Sequence, residues 1–257
     1  MSIGIADIRR KALLMVSRVA YRRTVRLAAP MPPTISLTFD DFPKNAALLA
    51  APLLEAAGVR GTFFASVGLA GRDADVGRIA SREDIVDLRR RGHEIGCHSF
   101  SHVSAERVGA AVYAREIRAN REALSDLLPG DPVQAFAYPY GKVTPRAKAA
   151  ALATYACCRS IRPGIEGRVI DLGLLHGNML YSEGIAFPAI RDLIRRCGSE
   201  GGWLTFFTHD VSPAPTEYGC TPAYLAATLD EAARAGCRIR PLGQVAAELL
   251  GAAGRAG

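Results

Sequence analysis

The chain lacks any apolar run near the roughly 20 residues that a bilayer-spanning helix needs, and its most apolar N-terminal stretch, Leu13 to Val16, is followed closely by Arg18. A spanning helix is therefore not expected. A secretory leader needs an unbroken apolar stretch of about 7–15 residues before its cleavage site. Arg18, Arg22 and Arg23 interrupt that stretch ahead of Ala28-Ala29, so the expected location is cytoplasmic. The six cysteines (Cys97, Cys157, Cys158, Cys197, Cys220, Cys237) contain no C-x-x-C pair. In a domain this large they read as buried free thiols rather than a disulfide framework. Gly-rich phosphate-binding motifs, internal repeats and low-complexity stretches are also missing, which argues against a nucleotide enzyme, and no nucleic-acid partner is expected.

What is present is a chain of 257 residues, 49% hydrophobic and 22% charged, a composition that suits one sizeable globular domain. The net charge of +7 is unevenly placed: before Asp40, seven basic residues face the single acid Asp7, so +6 of the total lies there. The basic character belongs to the N-terminal segment and not to the body.

From Ile5 to about Leu27 the apolar residues Ile5, Ile8, Ala12, Val16 and Val19 recur at helical spacing among arginines, which predicts a basic amphipathic helix ended by Pro30, Pro32 and Pro33. Residues 5–27 either pack on the domain with solvated arginines or make peripheral contact with an anionic membrane. The chain thus divides into a basic helix and Pro-rich linker over 1–33, a catalytic domain over 34–250 and a flexible tail over 251–257.

Beyond the prolines, strand and helix patterns alternate. Strands are predicted at Thr34–Phe39, Gly61–Ser66, Glu94–Cys97, Gln134–Ala137, Tyr155–Cys158, Trp203–Thr208 and Arg238–Arg240, with helices at Asn45–Ala57, Arg82–Arg91, Ala105–Leu127 and from Thr144. This is the signature of an α/β fold with a parallel sheet. About seven such units favour a closed or distorted (β/α) barrel, whose reactive groups gather at the C-terminal ends of the strands.

The first strand runs into Asp40-Asp41, two adjacent carboxylates that are costly to bury unless a cation holds them; the bland alternative is a solvated turn. The third strand ends in His98-Ser99-Phe100-Ser101-His102. On a helical turn, imidazoles at i and i+4 share a face and can reach one metal. Joined to Asp41, they form a two-imidazole, one-carboxylate set with open positions, suited to a divalent ion, most naturally zinc, with cobalt or nickel as alternatives.

Thr38-Phe39-Asp40-Asp41 followed by His98-Ser99-Phe100-Ser101-His102 resembles the polysaccharide deacetylase family, also called the NodB-homology domain or carbohydrate esterase family 4. Phe136-Ala137-Tyr138-Pro139-Tyr140-Gly141 resembles the family's third motif, and Leu204-Thr205-Phe206-Phe207-Thr208-His209 its last. The resemblance implies a distorted barrel and a metal-dependent hydrolase that removes N-acetyl groups from GlcNAc-type units of an oligo- or polysaccharide. It implies that Asp41, His98 and His102 ligate the metal, Asp40 is the general base and His209 the general acid. Tyr140, on a turn with Pro139, would offer its backbone N–H to the oxyanion.

The chain departs from that pattern at Ala137, where many members carry an arginine that orients the base. Arg159 or Arg162 could supply the charge from another strand end, or both could be solvated loop residues. The fourth motif is not readable, and Asp171 is the candidate for orienting His209. His93 opens the third strand at its far end and reads as structural, His176 is undecided, and Trp203 reads as packing. Tyr138, Tyr181 and Tyr218 are candidates for stacking on a sugar. Two other functions stay open: a catalytically silent carbohydrate-binding domain and a hydrolase of small non-sugar amides.

Overall fold

A computed structural model describes residues 15–17 and 19–253. Its centre is the strand β2 (Thr34–Phe39), following a short N-terminal strand β1 (Thr24–Arg26). Every residue of β2 is buried, which explains why Thr34–Phe39 reads as a continuous apolar run without alternation: both faces of a parallel strand are covered. From β2 the sheet extends through β3 (Thr62–Ala65), β6 (Glu94–Cys97), β7 (Ala135–Ala137) and β8 (Cys157–Arg159), each parallel to its neighbour. On the other side of β2 lie β12 (Trp203–Thr208) and β11 (Asn178–Met179), also parallel.

Seven strands therefore form the main path, as the spacing predicts, although the seventh is not the expected one. The segment at Arg238 forms only a two-residue strand, β13 (Arg238–Ile239), beside the start of β2. The path ends instead on β11, two residues long and without a readable apolar pattern. The sheet curls until the stretch before β11 meets the opposite edge, where Cys158 N–H donates to Leu172 O and Ser160 N–H to Leu175 O. The result is a distorted barrel. A minor hairpin, β4 (Asp73–Ala74) with β5 (Gly77–Arg78), rises near the C-terminal end of β3.

Helices cover the outside. A π-helical turn at Ala46–Ala50 leads into α1 (Ala51–Ala56). Then come α2 (Arg82–Arg90), α3 (Ala110–Leu127), α4 (Pro145–Leu152), α5 (Phe187–Glu200), α6 (Pro222–Arg234) and α7 (Leu242–Ala253). Helix α2 begins on a full capping box between Ser81 and Asp84, and α4 and α6 begin on Thr144 and Thr221 with proline next in line, the sequence signature of a helix start. The predicted helix at Ala105 starts five residues later, at Ala110, because Ala105–Gly109 turns before the helix begins.

The N-terminal expectation requires correction. Residues 15–17 and 19 are helical, but Thr24–Arg26 is a strand antiparallel to β10 (Val169–Asp171) rather than the end of a helix. Val25 is buried against Ile170 and Trp203 in a second apolar cluster with Met31 and the inner face of α7. Tertiary pairing overrides helical periodicity there. Arg23 is drawn inward too: its guanidinium donates to the carbonyls of Leu152, Tyr155 and Ala156 at the end of α4, which leaves it unavailable for an outside partner. The rest of the predicted helix, residues 5–14, lies outside the described residues. At the other end the expected tail begins inside α7, which runs through Ala253, and residues 254–257 lie outside the described residues.

All six cysteines are buried and free. Trp203 is fully buried, its indole N–H donating to Ser36 Oγ at 2.9 Å, a packing role. His93 is buried at the N-terminal end of β6, accepting from Gly61 N–H at 3.2 Å and facing Glu55 at 3.0 Å.

Candidate active site

Five of the six non-glycine residues with left-handed φ among the described residues lie in the motifs: Asp41 (57°), Phe42 (54°), Ser99 (58°), His102 (53°) and Tyr140 (57°). Such conformations cost of order 1–3 kcal/mol each and cluster where surrounding structure holds them for a purpose. Each one turns the chain sharply just beyond the C-terminal end of a strand.

At the end of β2, Asp40 stays in the sheet ladder, its N–H donating to Thr208 O at 2.8 Å. The left-handed Asp41 then swings its carboxylate toward β6. His98 and His102 do not share a helical turn, as the i, i+4 spacing suggests. The chain from Ser99 to His102 is a loop with left-handed residues at both ends, and it brings the two rings to 4.8 Å between centroids. The loop is pinned by Glu116 of α3, which accepts from Ser101 N–H at 2.7 Å, and by Ser99 Oγ, which accepts from Val103 N–H at 3.2 Å.

Asp41, His98 and His102 each offer one donor atom, and these atoms lie within 4.8 Å of one another. Asp41 Oδ1 is 3.1 Å from His102 Nε2 and 3.6 Å from His98 Nε2, and it is buried without a hydrogen-bond partner. An orphaned buried carboxylate oxygen is expensive, and a cation between the three groups would satisfy it. His98 Nδ1–H can donate to Ala137 O at 2.8 Å, which leaves Nε2 as the lone-pair donor, the support usual for a metal-ligating imidazole. Burial lowers the His98 ring to about 3 and the His102 ring to about 4, so both are neutral near pH 7. Burial likewise raises the Asp41 carboxyl to about 6. These residues fit a divalent ion.

Asp40 has a different partner. The Arg159 guanidinium, at the end of β8, places Nη2 2.5 Å from each Asp40 oxygen. Arg159 is fully buried, with Cζ 4.8 Å from the Phe207 ring centroid and 5.4 Å from that of Phe64. Burial pushes the Asp40 carboxyl up, but the charge and hydrogen bond of Arg159 lead the opposing effects, which hold the group below its ordinary value. Arg159 is the strand partner of Ala137. The charge missing from the third motif thus comes from the neighbouring strand at the same register. Arg162 is elsewhere, its guanidinium 3.4 Å from His176 Nε2, while His176 Nδ1 lies 2.7 Å from Glu166.

His209 follows β12 and closes the site from the side opposite β6, with Nε2 3.9 Å from Asp41 Oδ2. Asp171 does not orient it. That carboxylate is occupied by Lys148 Nζ at 2.6 Å and by the N–H groups of Arg23 and Gly173. The Tyr218 carbonyl takes the orienting place, accepting from His209 Nδ1 at 3.2 Å and from its N–H at 3.1 Å. A backbone carbonyl carries no side-chain signature, so sequence reasoning had nothing to find.

Around these groups opens a cavity of about 590 Å3. Tyr140, Tyr181 and Tyr218 line it, as do Leu69, Asp75 and Val76 from the segment that carries the β4–β5 hairpin. Pro139 is buried beneath the turn, and the exposed Tyr140 ring lies 4.4 Å from that of His102. Tyr138 is not a stacking platform: it is buried in the core and donates its hydroxyl to Gly173 O at 3.0 Å.

A distorted (β/α) barrel with an Asp-His-His donor set and a second, arginine-held carboxylate at its strand ends defines a class of hydrolytic barrels. Residues 28–157 match the family model described as polysaccharide deacetylase, and the chain belongs to that family. It is 28% identical over 191 residues to a chitin deacetylase from a Pestalotiopsis species, a match covering 73% of this chain and 57% of that protein. A shorter match, 28% identical over 110 residues, is to a chitin deacetylase of Arthroderma benhamiae and covers 42% of this chain and 28% of that one. Among solved structures, the chitin deacetylase of Colletotrichum lindemuthianum superposes with a TM-score of 0.60 at 18% identity, covering 86% of this chain and 89% of that one. A family 4 carbohydrate esterase from Streptomyces lividans gives 0.57 at 18% identity, covering 80% and 91%. At this identity the structural likeness bears on the fold.

Proposed function

We propose that the protein is a metal-dependent hydrolase that removes N-acetyl groups from GlcNAc-type units of an oligo- or polysaccharide. The observation that carries this reading is the joint placement of the Asp41–His98–His102 donor set, the Arg159-held Asp40 and His209 around one cavity. The chitin deacetylases that the chain resembles over 191 and 110 residues support the substrate class.

Asp41, His98 and His102 would hold the ion, zinc or else cobalt or nickel, which when bound supplies a Lewis acid and lowers the pKa of water. Asp40 is ionised near neutrality because its charge neighbours outweigh its burial, and it accepts the proton of the attacking water. Arg159 fixes the orientation of that carboxylate through both oxygens. The Tyr140 backbone N–H, aimed by the left-handed turn over the buried Pro139, stabilises the developing oxyanion. His209, oriented by the Tyr218 carbonyl, donates a proton to the departing nitrogen.

The silent-binder alternative rests on the arginine absent at Ala137, and the Arg159–Asp40 pair supplies that charge from β8. A cavity of about 590 Å3 lined by three tyrosines suits sugar rings better than a small amide. The test is acetate release from chitooligosaccharides by the zinc- or cobalt-loaded protein, beside Asp40→Asn and His98→Ala. Release by the wild type and its loss in both variants is the expected result; no release from metal-loaded wild type would overturn the reading.

A further inference from the structure

Exposed large apolar side chains concentrate in two places among the described residues. Met15, Val16 and Val19 occupy one side of a short helix and are 66%, 49% and 71% exposed, and Tyr21 just beyond is 58% exposed. Ser17, on the opposite side, is buried and donates its hydroxyl to Val143 O at 3.2 Å, while Lys148 Nζ donates to Ser17 O at 3.0 Å. Among these described residues a polar side chain thus faces inward and apolar ones outward, the reverse of the usual surface pattern.

The second place is the rim of the cavity. Tyr140, Ile161, Met179 and Tyr218 are exposed by 41–55%. Val143, which holds Ser17, is itself buried three residues past Tyr140. Gly141 packs so closely on Ile161 that an added Cβ would come within 2.2 Å of it. Exposed apolar side chains grouped as they are at Met15, Val16, Val19 and Tyr21 mark an interaction site.

Charge decides the partner. The segment before Asp40 carries +6 in sequence; Arg23 is turned inward and Arg22 lies 3.7 Å from Asp171, while Arg26 within the segment and Arg146 of α4 are exposed. A second copy of the chain would oppose like charge to like. An anionic lipid surface accepts both the apolar side chains and the cations. No helix among the described residues is long and apolar enough to cross a membrane.

We propose that Met15, Val16, Val19 and Tyr21 dock on an anionic bilayer and hold the protein beside a glycan carried at that surface. The docking stands on the surface alone; the glycan rests on the deacetylase reading. The test is co-sedimentation of the full chain with phosphatidylglycerol–phosphatidylcholine vesicles, with phosphatidylcholine vesicles as the neutral arm, comparing wild type with Met15→Glu/Val19→Glu. The wild type is expected to pellet with the anionic vesicles at low salt, to be released by high salt and to bind neutral vesicles weakly. The double variant is expected to bind about tenfold or more weakly, since each added charge opposes the surface potential, while it turns over soluble chitooligosaccharide as the wild type does. Wild type that stays in the supernatant, a variant that pellets equally, or a dimer dissolved by the variant would overturn the proposal. If neither protein turns over sugar but vesicle binding differs as stated, the deacetylase reading fails and the docking survives.

Discussion

Arg159 Nη2 lies 2.5 Å from both carboxylate oxygens of Asp40, a residue 119 positions earlier in the chain. The pair is buried, so removing one partner leaves an uncompensated charge. Arg159→Ala is expected to cost about 3–5 kcal/mol of stability and to lower kcat/KM on chitooligosaccharides by roughly 10²-fold or more through misplacement of the base. A purely structural role would stop there. With Arg159 gone, burial acts on Asp40 less opposed, its pKa rises, and the acidic limb of the kcat/KM profile is expected to move to higher pH. Because Ala137 and Arg159 are strand partners, the double exchange Ala137→Arg/Arg159→Ala is expected to recover part of the lost activity. A pH profile unmoved in Arg159→Ala would contradict the role.

Removing the proposed general acid tests the other side of the cavity. His209→Ala is expected to lower kcat by roughly 10²–10⁴-fold while leaving metal stoichiometry unchanged, since its Nε2 stands 3.9 Å from Asp41 and outside the donor set. Metal analysis beside steady-state kinetics separates loss of the acid from loss of the site.

If Asp41, His98 and His102 hold an ion as proposed, the orphaned Asp41 Oδ1 makes that ion a source of stability as well. At a free zinc concentration about 100 times Kd, binding contributes about 2.7 kcal/mol, which for a chain of this size is a Tm rise of about 5–10 °C. Thermal melts with zinc and with chelator are expected to differ by that amount in the wild type and to coincide in Asp41→Ala.

His93 ties acid stability to the far end of the barrel. Its ring is buried between Gly61 N–H and Glu55, and burial, only partly opposed by Glu55, lowers its pKa below the ordinary 6.5. The unfolded chain then binds more protons than the folded one between the two values, so stability rises with pH there. The contribution is present above about pH 6.5 and is lost as pH falls through that value toward the folded pKa. Urea midpoints are expected to fall between pH 8 and pH 5, and more shallowly in His93→Gln.

Much of this could be read from the chain because it is local. Thr34–Phe39 is buried on both faces and shows it as an unbroken apolar run; the capping residues Ser81 and Thr144 announce their helices. Asp40, Asp41, His98, His102 and His209 sit directly after strands, where barrel geometry gathers side chains. The i, i+4 spacing of the histidines predicted that their rings meet, and they do, though left-handed turns at Ser99 and His102 do the work expected of a helical turn. Backbone conformation of that sort is imposed on non-glycine residues by their surroundings.

What the sequence by itself determined is the alternation of strand and helix through Thr144, six of the seven strands that form the barrel wall, and the polar residues that follow them; the helices at Phe187–Glu200, Pro222–Arg234 and Leu242–Ala253 and the strands β1 and β11 were not among its predictions. Tertiary structure alone decided which arginine meets Asp40, that Tyr218 O and not Asp171 orients His209, that Tyr138 is core while Tyr140 is rim, and that Thr24–Arg26 joins β10. The physical reason is common to all four. Each depends on the register between strands far apart in sequence or on a backbone carbonyl, and neither leaves a mark on local composition. Arg159 and Arg162 stand three residues apart in one loop-bearing segment, and only the pairing of β7 with β8 separates the buried partner of a carboxylate from the neighbour of His176.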